Sequence, residues 1–271
     1  MTMTQDEIRG WLKEFWQNGA FVRLSDHRVR LWKGPWKKTE TKNDQDVFPF
    51  SISYLAFFGS HVSGLFSAHM IEVSAAHLLS VLDLILAETL SSGADTKAAD
   101  LQMVKQEDFS TPRKDDFERS LQIIQGKIHR SEIEKAVPVV VTRNEKRPSK
   151  FDLIIWLRNV LNMTSSVYPF GFWDETSGIL GATPEILFRL EGGQISSMAL
   201  AGTCPKSEIS SRPNLLKDTK ENFEHDLVVD DIVMQLSKLG LVRKSPKRIL
   251  ELPTLLHLAP RIREISWADQ Q

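Results

Sequence analysis

Two charged side chains in apolar surroundings are the first candidates for chemistry. Glu185 lies in the run GATPEILFRL, and Lys135 opens the run KAVPVVV. The carboxylate of Glu185 is either a solvated charge at a strand end or a group directed into a cavity. Lys135 is either a surface lysine whose stem covers apolar neighbours or a desolvated amine fit to act as a base. Spacing alone favours the surface interpretation for both residues.

Two further carboxylates lie at the start of a predicted helix, in the run DTKENFEHDLVVDDIVMQL. Glu221 and Glu224 follow helical spacing with Val228, so they extend the apolar face of the helix toward its N-terminus. Hard oxygen ligands of this kind suit Mg²⁺. Capping is the alternative, because Asp218 followed by Glu221 fits a helix start and acids favour the first turn. Capping is the stronger interpretation for Glu221, and the two are balanced for Glu224.

A glycine turn is the next candidate. Gly202 and Thr203 lie in the run LAGT, where backbone N–H groups could meet a carboxylate, although an ordinary turn explains the glycine equally well. The seven histidines are dispersed and Cys204 is the single cysteine, so neither a zinc site nor a disulfide is expected. The sequence contains no phosphate-binding loop and no dinucleotide fingerprint.

The elements that must position these residues follow one another without a βαβ rhythm. Hydrophobic periodicity predicts helices at residues 5–17, 74–91, 115–135, 150–163 and 218–240. Alternation and turn residues predict strands within residues 20–34, 47–59, 135–143 and 168–203, and one or two more within 248–265. This order predicts an α+β fold with large antiparallel sheets flanked by helices.

Length and composition restrict the class of protein. The 271 residues are 41% hydrophobic, which is enough for one large domain or two small ones. We predict an N-terminal subdomain at 1–110 and a second domain at 111–271, separated by a polar linker. With 34 basic and 35 acidic residues, no nucleic-acid partner is expected. The most apolar run, 74–90, is short and carries charges, so no membrane span and a cytoplasmic location are expected.

Taken in order, the motifs resemble those of the chorismate-utilising enzymes. This family includes isochorismate and salicylate synthases, anthranilate synthase large subunits and aminodeoxychorismate synthases. The resemblance covers residues 115–265 and is carried by the runs IIQGKIHRSEIEKAVPVVVTR, FWDETSGILGATPEILF, ALAGT, KDTKENFEHDLVVDDI and ILELPTLLHL. It implies the fold of that family and chorismate as a small-molecule substrate.

The resemblance also implies a role for each candidate residue. Glu185 matches the general acid that protonates the departing C4 hydroxyl of chorismate, and Lys135 matches the base that activates water for attack at C2. Glu224 matches a ligand of Mg²⁺, with Glu221 beside it. Gly202 and Thr203 would line the pocket. The metal would hold the carboxylate of the substrate ring.

Two positions separate the branches of the family. Aminating members resemble one another in having an uncharged residue where Lys135 stands, and aminodeoxychorismate synthases tend to carry a lysine where Ala201 stands. Both positions favour the water-using isochorismate synthase, an isomerase of menaquinone or siderophore biosynthesis. The alternatives are a catalytically silent chorismate-binding homologue, one half of a split enzyme, and component I of an anthranilate or aminodeoxychorismate synthase.

Relatives resembling this chain continue beyond the position of Gln271. In them the following segment carries a glycine-rich loop, a substrate-binding arginine and tyrosine, and a second metal-ligating glutamate. The C-terminal portion of the family domain is therefore expected to be absent, which leaves the fold incomplete at its C-terminus. A partner chain that completes the sheet is expected for the same reason.

Overall fold

The structure is a computed structural model of the 271-residue chain. The residues that it describes are 3–25, 27–39, 51–55, 62–66, 69–91, 110–111, 113–140, 142, 147–164, 166–207, 212–259 and 261–265. Within these residues, no helix combines the length and the apolar character that crossing a membrane requires.

The chain divides into two compact units. The first comprises residues 1–130 and 137–182, and the second comprises residues 131–136 and 183–271. Lys135, Glu185, Glu221, Glu224, Gly202 and Thr203 all belong to the second unit. The predicted subdomain at 1–110 and the predicted family domain at 111–271 stay predictions.

Up to Thr183 the described residues form four helices and eight strands. In chain order these are α1 (Gln5–Phe15), β1 (Gly19–Ser25), β2 (Arg28–Lys33), β3 (Lys37–Thr39), β4 (Ser51–Leu55), β5 (Val62–Phe66), β6 (His69–Ser74), α2 (Ala75–Ser91), α3 (Lys114–His129), α4 (Lys150–Leu161), β7 (Tyr168–Trp173) and β8 (Gly178–Thr183). The main sheet has the order β6-β2-β1-β7-β8, and a smaller sheet has the order β3-β5-β4. The predicted hairpin at 20–34 is the antiparallel pair β1–β2.

Local sequence explains where two of these helices begin. At α1, the hydroxyl of Thr4 accepts the N–H of Glu7, and the Glu7 carboxylate accepts the N–H of Thr4. Ser149 and Asp152 form the same reciprocal pair at α4. Such pairs satisfy backbone donors that the first helical turn leaves without partners. The predicted helices at 5–17, 74–91 and 150–163 are confirmed, with small shifts at their ends.

The first unit has one large apolar core. Helices α1, α2 and α4 pack against the strands of the main sheet, and the Trp173 indole N–H donates to the carbonyl of Phe15 at 3.0 Å. Fully buried members of the core include Ile8, Leu12, Phe15, Val29, Leu31, Leu78, Leu82 and Leu157. This burial is the main stabilising contribution of the unit.

A buried charge joins β1 to the end of α4. Arg23 is 4% exposed, and its guanidinium donates to the carbonyls of Leu161, Met163, Thr164 and Val167 at 2.5–3.2 Å. Carbonyls at a helix C-terminus carry partial negative charge and lack intrahelical partners. Arg23 therefore closes the C-terminal end of α4.

After Thr183 the residues that the structure describes form two helices and seven strands. They are β9 (Arg189–Glu191), β10 (Gln194–Met198), β11 (Ala201–Pro205), α5 (Arg212–Leu215), α6 (Thr219–Leu236), β12 (Leu241–Lys244), β13 (Ile249–Glu251), β14 (Leu255–Leu258) and β15 (Arg261–Ile265). Two antiparallel sheets result, with the orders β12-β15-β10-β9 and β11-β14-β13. Within the described residues β9, β11, β12 and β13 are edge strands, and the partner chain expected at a sheet edge stays a prediction.

Helix α6 packs its apolar face in the second unit. Val228 and Ile232 contact a small buried cluster of Ala199, Val229 and Ile262, as the helical spacing predicted. A second small cluster contains Leu215, Leu256 and Leu258. The predicted α+β architecture of antiparallel sheets with flanking helices is confirmed.

The strand predicted at 135–143 is wrong for its described part. Residues 135–140 form no strand, and Val137 and Val139 are 71% and 73% exposed. Pro138 lacks the N–H that a ladder requires, and these described residues have no partner strand. A β-branched run predicts strand propensity, but only a neighbouring strand can satisfy its backbone groups.

Other element boundaries also differ from the sequence prediction. Within the strand region predicted at 168–203, residues 184–188 are not a strand, and β9, which belongs to a different sheet from β8, begins at Arg189. Region 248–265 holds three strands rather than one or two. The helices predicted at 115–135 and 218–240 end earlier than predicted, at His129 and Leu236. Most of the predicted strand at 47–59 lies outside the described residues, apart from β4.

Candidate active site

The N-terminus of α6 positions two carboxylates. Asp218 caps the helix, and its carboxylate accepts the N–H of Glu221 at 2.9 Å, as the capping interpretation predicted. Because the helix begins at Thr219, Glu221 and Glu224 lie three residues apart on one face of its first turns. Their side chains are 21% and 33% exposed, so both lie at the surface of the second unit and remain reachable.

Four interactions join these carboxylates to their surroundings. Lys220 Nζ lies 2.9 Å from Oε1 of Glu221 and 3.2 Å from Oε1 of Glu224. Lys135 Nζ lies 3.4 Å from Oε2 of Glu224. Oε2 of Glu221 accepts the backbone N–H of Thr203 at 3.0 Å. The structure therefore brings together Lys135, the acid pair and the glycine turn.

Electrostatics favour the charged form of Glu224. The hydrogen bond from Lys220 is the largest cause of the lowered pKa of Glu224, and the contact with Lys135 contributes in the same direction. In turn, the hydrogen bond to Glu221 is the largest cause of the raised pKa of Lys220. Two carboxylates that share one cation have the donor chemistry that Mg²⁺ takes. Among the described residues no group of three acidic, histidine or cysteine side chains converges on one metal position.

The turn at Gly202 requires a residue without a Cβ. Its φ is +75°, and a Cβ there would lie 3.0 Å from Leu258 Cδ1 and 3.2 Å from the carbonyl of Glu221. The left-handed conformation and the close approach together favour glycine. They bring the following N–H, that of Thr203, against the carboxylate of Glu221. The N–H groups of the turn thus meet a carboxylate of the protein itself.

His257 is a candidate site residue that the sequence did not single out. It lies opposite Thr203 in the β11–β14 pair, and its Nδ1 is 2.8 Å from the Thr203 hydroxyl. Burial lowers the pKa of His257, which favours the neutral ring near neutral pH. The sequence feature that could have identified His257 is its position as the single polar residue in the otherwise apolar strand LLHL.

Glu185 makes no described ion pair or hydrogen bond with the other predicted site residues. It falls between β8 and β9, where its N–H donates to the hydroxyl of Thr183 at 3.1 Å. The side chain is exposed, yet nearby protein atoms displace enough water that desolvation raises its pKa. Among the described contacts, its carboxylate has no ion pair or hydrogen bond with Lys135 or Glu224.

Comparison with known proteins gives one family and several relatives. The family model described as chorismate binding enzyme matches residues 65–266. The chain is 29% identical over 146 residues to anthranilate synthase component 1 of Pseudomonas aeruginosa, covering 51% of this chain and 29% of that protein. It is 27% identical over 161 residues to the vibriobactin-specific isochorismate synthase of Vibrio cholerae, covering 56% of this chain and 40% of that protein. The chain thus spans less than half the length of these curated relatives.

Two solved structures share the fold. A protein of Bacillus anthracis described as a 2,3-dihydroxybenzoate-specific isochorismate synthase superposes with a TM-score of 0.64 at 16% identity, covering 97% of this chain and 72% of that one. The menaquinone-specific isochorismate synthase of Escherichia coli superposes with a TM-score of 0.60 at 17% identity, covering 96% of this chain and 67% of that one. The expected chorismate-utilising fold is confirmed.

Proposed function

Because the chain belongs to the chorismate binding enzyme family, we propose that it converts chorismate to isochorismate with Mg²⁺ as cofactor. The match over residues 65–266 confirms the resemblance inferred from the motifs. The observation that carries the proposal is the 3.4 Å approach of Lys135 Nζ to Glu224 Oε2. It supports a base placed beside a metal ligand, where water and the bound substrate would meet.

Lys135 would act as the base of the reaction. Water adds at C2 of chorismate as Lys135 Nζ takes one of its protons, the ring double bond shifts, and the bond from C4 to its hydroxyl breaks. The amine must leave Glu224 and be neutral to take that proton. General bases of this kind contribute about 10²- to 10⁴-fold to rate.

Glu185 would act as the acid. It gives its proton to the departing C4 hydroxyl, which leaves as water, so one water enters and one departs. Its raised pKa supports this role, because the protonated form persists to higher pH. An acid and a base that act on opposite faces of one ring are separated by the substrate, which is consistent with the absence of a described contact between Glu185 and Lys135.

Glu221 and Glu224 would hold the Mg²⁺. The ion, when bound, would neutralise the carboxylate of the substrate ring. Gly202 and Thr203 would line the pocket, since the Thr203 N–H already contacts Glu221. His257 would fix the orientation of the Thr203 hydroxyl through their 2.8 Å contact.

Amination is the second candidate reaction, favoured by the 29% identity to an anthranilate synthase component 1. In that reaction ammonia replaces water as the nucleophile, so no base is needed at position 135. A lysine at position 135, with its amine next to Glu224, supports the water-using reaction instead. Chorismate binding without turnover is the third candidate.

One assay separates these candidates. The full chain is incubated with chorismate and Mg²⁺, with and without ammonia, and the products are resolved by chromatography. We expect isochorismate in both samples and no anthranilate. Anthranilate formed only with ammonia would replace the proposal with amination. If calorimetry detects chorismate binding but no product forms, the function is chorismate binding without catalysis.

A variant pair then tests the base. Lys135→Ala should lower isochorismate formation by about 10²- to 10⁴-fold. Lys206→Ala is the matched control, because Lys206 also pairs with a glutamate of the second unit, Glu251, at 2.6 Å. Equal activity of Lys135→Ala and Lys206→Ala would contradict the role of Lys135.

A further inference from the structure

Lys220 lies where a metal ion held by both acids would be expected. Its Nζ contacts one oxygen of Glu221 and one of Glu224, at 2.9 and 3.2 Å. The other oxygen of each acid contacts a different group, the Thr203 N–H or Lys135 Nζ. The ammonium group of Lys220 therefore takes the oxygens that the rest of the site leaves open.

The Lys220 side chain is free to leave this position. It is 73% exposed, against 21% for Glu221 and 33% for Glu224. Lysine carries a compact, strongly hydrated charge on a flexible four-carbon stem, so its release into water costs little. The acids are fixed by the first turns of α6, whereas the cation between them is exchangeable.

We propose that Lys220 is a tethered counter-ion that occupies the Mg²⁺ position and must be displaced when the metal binds. Mg²⁺ binds oxygen at about 2.0–2.1 Å, which leaves no room for an ammonium group on the same oxygens. Lys220 thus keeps the two carboxylates together without metal and weakens their affinity for Mg²⁺. This inference rests on the proposed function, in which Glu221 and Glu224 are the metal ligands.

Direct titration of the full chain with Mg²⁺ tests this role. Lys220→Met removes the charge and keeps most of the stem. By isothermal calorimetry with Mg²⁺ alone, we expect it to bind the ion about five- to tenfold more tightly than the wild type, the equivalent of losing two exposed ion pairs. Lys220→Arg keeps the charge and should stay close to the wild type.

Lys114→Met is the matched control for a helical lysine. Lys114 lies 3.5 Å from Glu118, four residues along α3, and is 83% exposed, so it reproduces the pairing away from the acid pair. Its loss should leave Mg²⁺ affinity unchanged. Thermal unfolding gives a second measurement. In EDTA, Lys220→Met should melt below the wild type, and saturating Mg²⁺ should remove the difference.

The outcomes separate this inference from the proposed function. Mg²⁺ affinity that Lys220→Met leaves unchanged or weakens would overturn the counter-ion role alone. If neither protein binds Mg²⁺, both the counter-ion role and the metal part of the proposed function are overturned. Isochorismate formation is measured separately and reports on the proposed reaction, whatever the affinity of Lys220→Met for the ion.

Discussion

The two units of the chain place their charges in opposite ways. In the first unit the guanidinium of Arg23 is buried beside a large apolar core and donates four hydrogen bonds to backbone carbonyls. In the second unit, Lys220, Glu221 and Glu224 remain accessible, and the apolar core consists of two small clusters. A buried charge has fixed partners because losing them is costly, whereas an accessible charge can exchange them. The first arrangement suits stability, and the second suits binding and catalysis.

Replacing Glu185, the proposed general acid, should produce the largest effect. Glu185→Gln keeps the shape of the side chain but cannot donate the proton, so isochorismate formation should fall by about 10²- to 10⁴-fold. Its melting temperature should stay close to that of the wild type. Steady-state kinetics and thermal unfolding of the same preparation measure both.

Glu191→Gln is the control for this variant. Glu191 is an exposed glutamate of β9 in the same unit and pairs with Arg189 at 3.8 Å. If both glutamine variants retain full activity, Glu185 is not the acid. If Glu185→Gln instead loses stability together with activity, its role is structural, and the contrast between the units fails at this residue.

Removing the buried charge of the first unit should reverse that pattern. Arg23→Met leaves four carbonyls, one in the last turn of α4 and three in the segment after it, without their donor, so the free energy of unfolding should fall by about 2–4 kcal/mol. Chemical denaturation followed by tryptophan fluorescence measures it. Arg28→Met, which removes an arginine paired with Glu72 at a side-chain exposure of 63%, should change stability little. Similar losses in both variants would argue against the capping role of Arg23.

Sequence reasoning predicted the fold where local signals and tertiary packing agree. The hairpin β1–β2 and helices α1, α2 and α4 follow from periodicity, turn residues and caps. The strand predicted at 135–143 is wrong in its described part, 135–140, because strand propensity cannot reveal whether a partner strand is available. The role of Arg23 could not be predicted either, since its partners lie 138 to 144 residues away along the chain.

The candidate site was predicted in part for similar reasons. Helical spacing places Glu221 and Glu224 together, and the motif order adds Lys135, Gly202 and Thr203. Lys220 and His257 were missed for different reasons. Lys220 precedes Glu224 by four residues, a spacing at which helical side chains meet, so the sequence contained this signal. His257 is near Thr203 only because β14 pairs with β11.

Gly202→Ala should give an intermediate effect within the second unit. The added Cβ meets Leu258 and the Glu221 carbonyl, and alanine disfavours a φ of +75°, so unfolding free energy should fall by about 1–3 kcal/mol. Because the strain lies against Glu221, Mg²⁺ affinity should fall as well. Gly10→Ala is the control, since a Cβ at Gly10 meets nothing within 4 Å. A Gly202→Ala variant with wild-type stability and Mg²⁺ affinity would show that the turn does not support the acid pair.

The smallest effect should appear in the pH dependence of stability, with opposite signs in the two units. Desolvation raises the pKa of Glu185 above the ordinary 4.5, so its contribution to stability is complete below that pH and is lost as pH rises through the raised value. Hydrogen bonds from Thr4 lower the pKa of Glu7, so its contribution is present above pH 4.5 and is lost as pH falls through the lowered value.

Both shifts should be visible as small differences in melting temperature, because both carboxylates are exposed and solvent screens their interactions. Melting is measured for the wild type, Glu185→Gln and Glu7→Gln between about pH 3 and 8, a range that brackets the ordinary carboxyl value. With increasing pH, the wild type should lose stability relative to Glu185→Gln and gain stability relative to Glu7→Gln. Two difference curves with the same slope would mean that Glu185 is as well hydrated as an ordinary surface carboxylate. In that case the strongest physical support for its role as the acid would be removed.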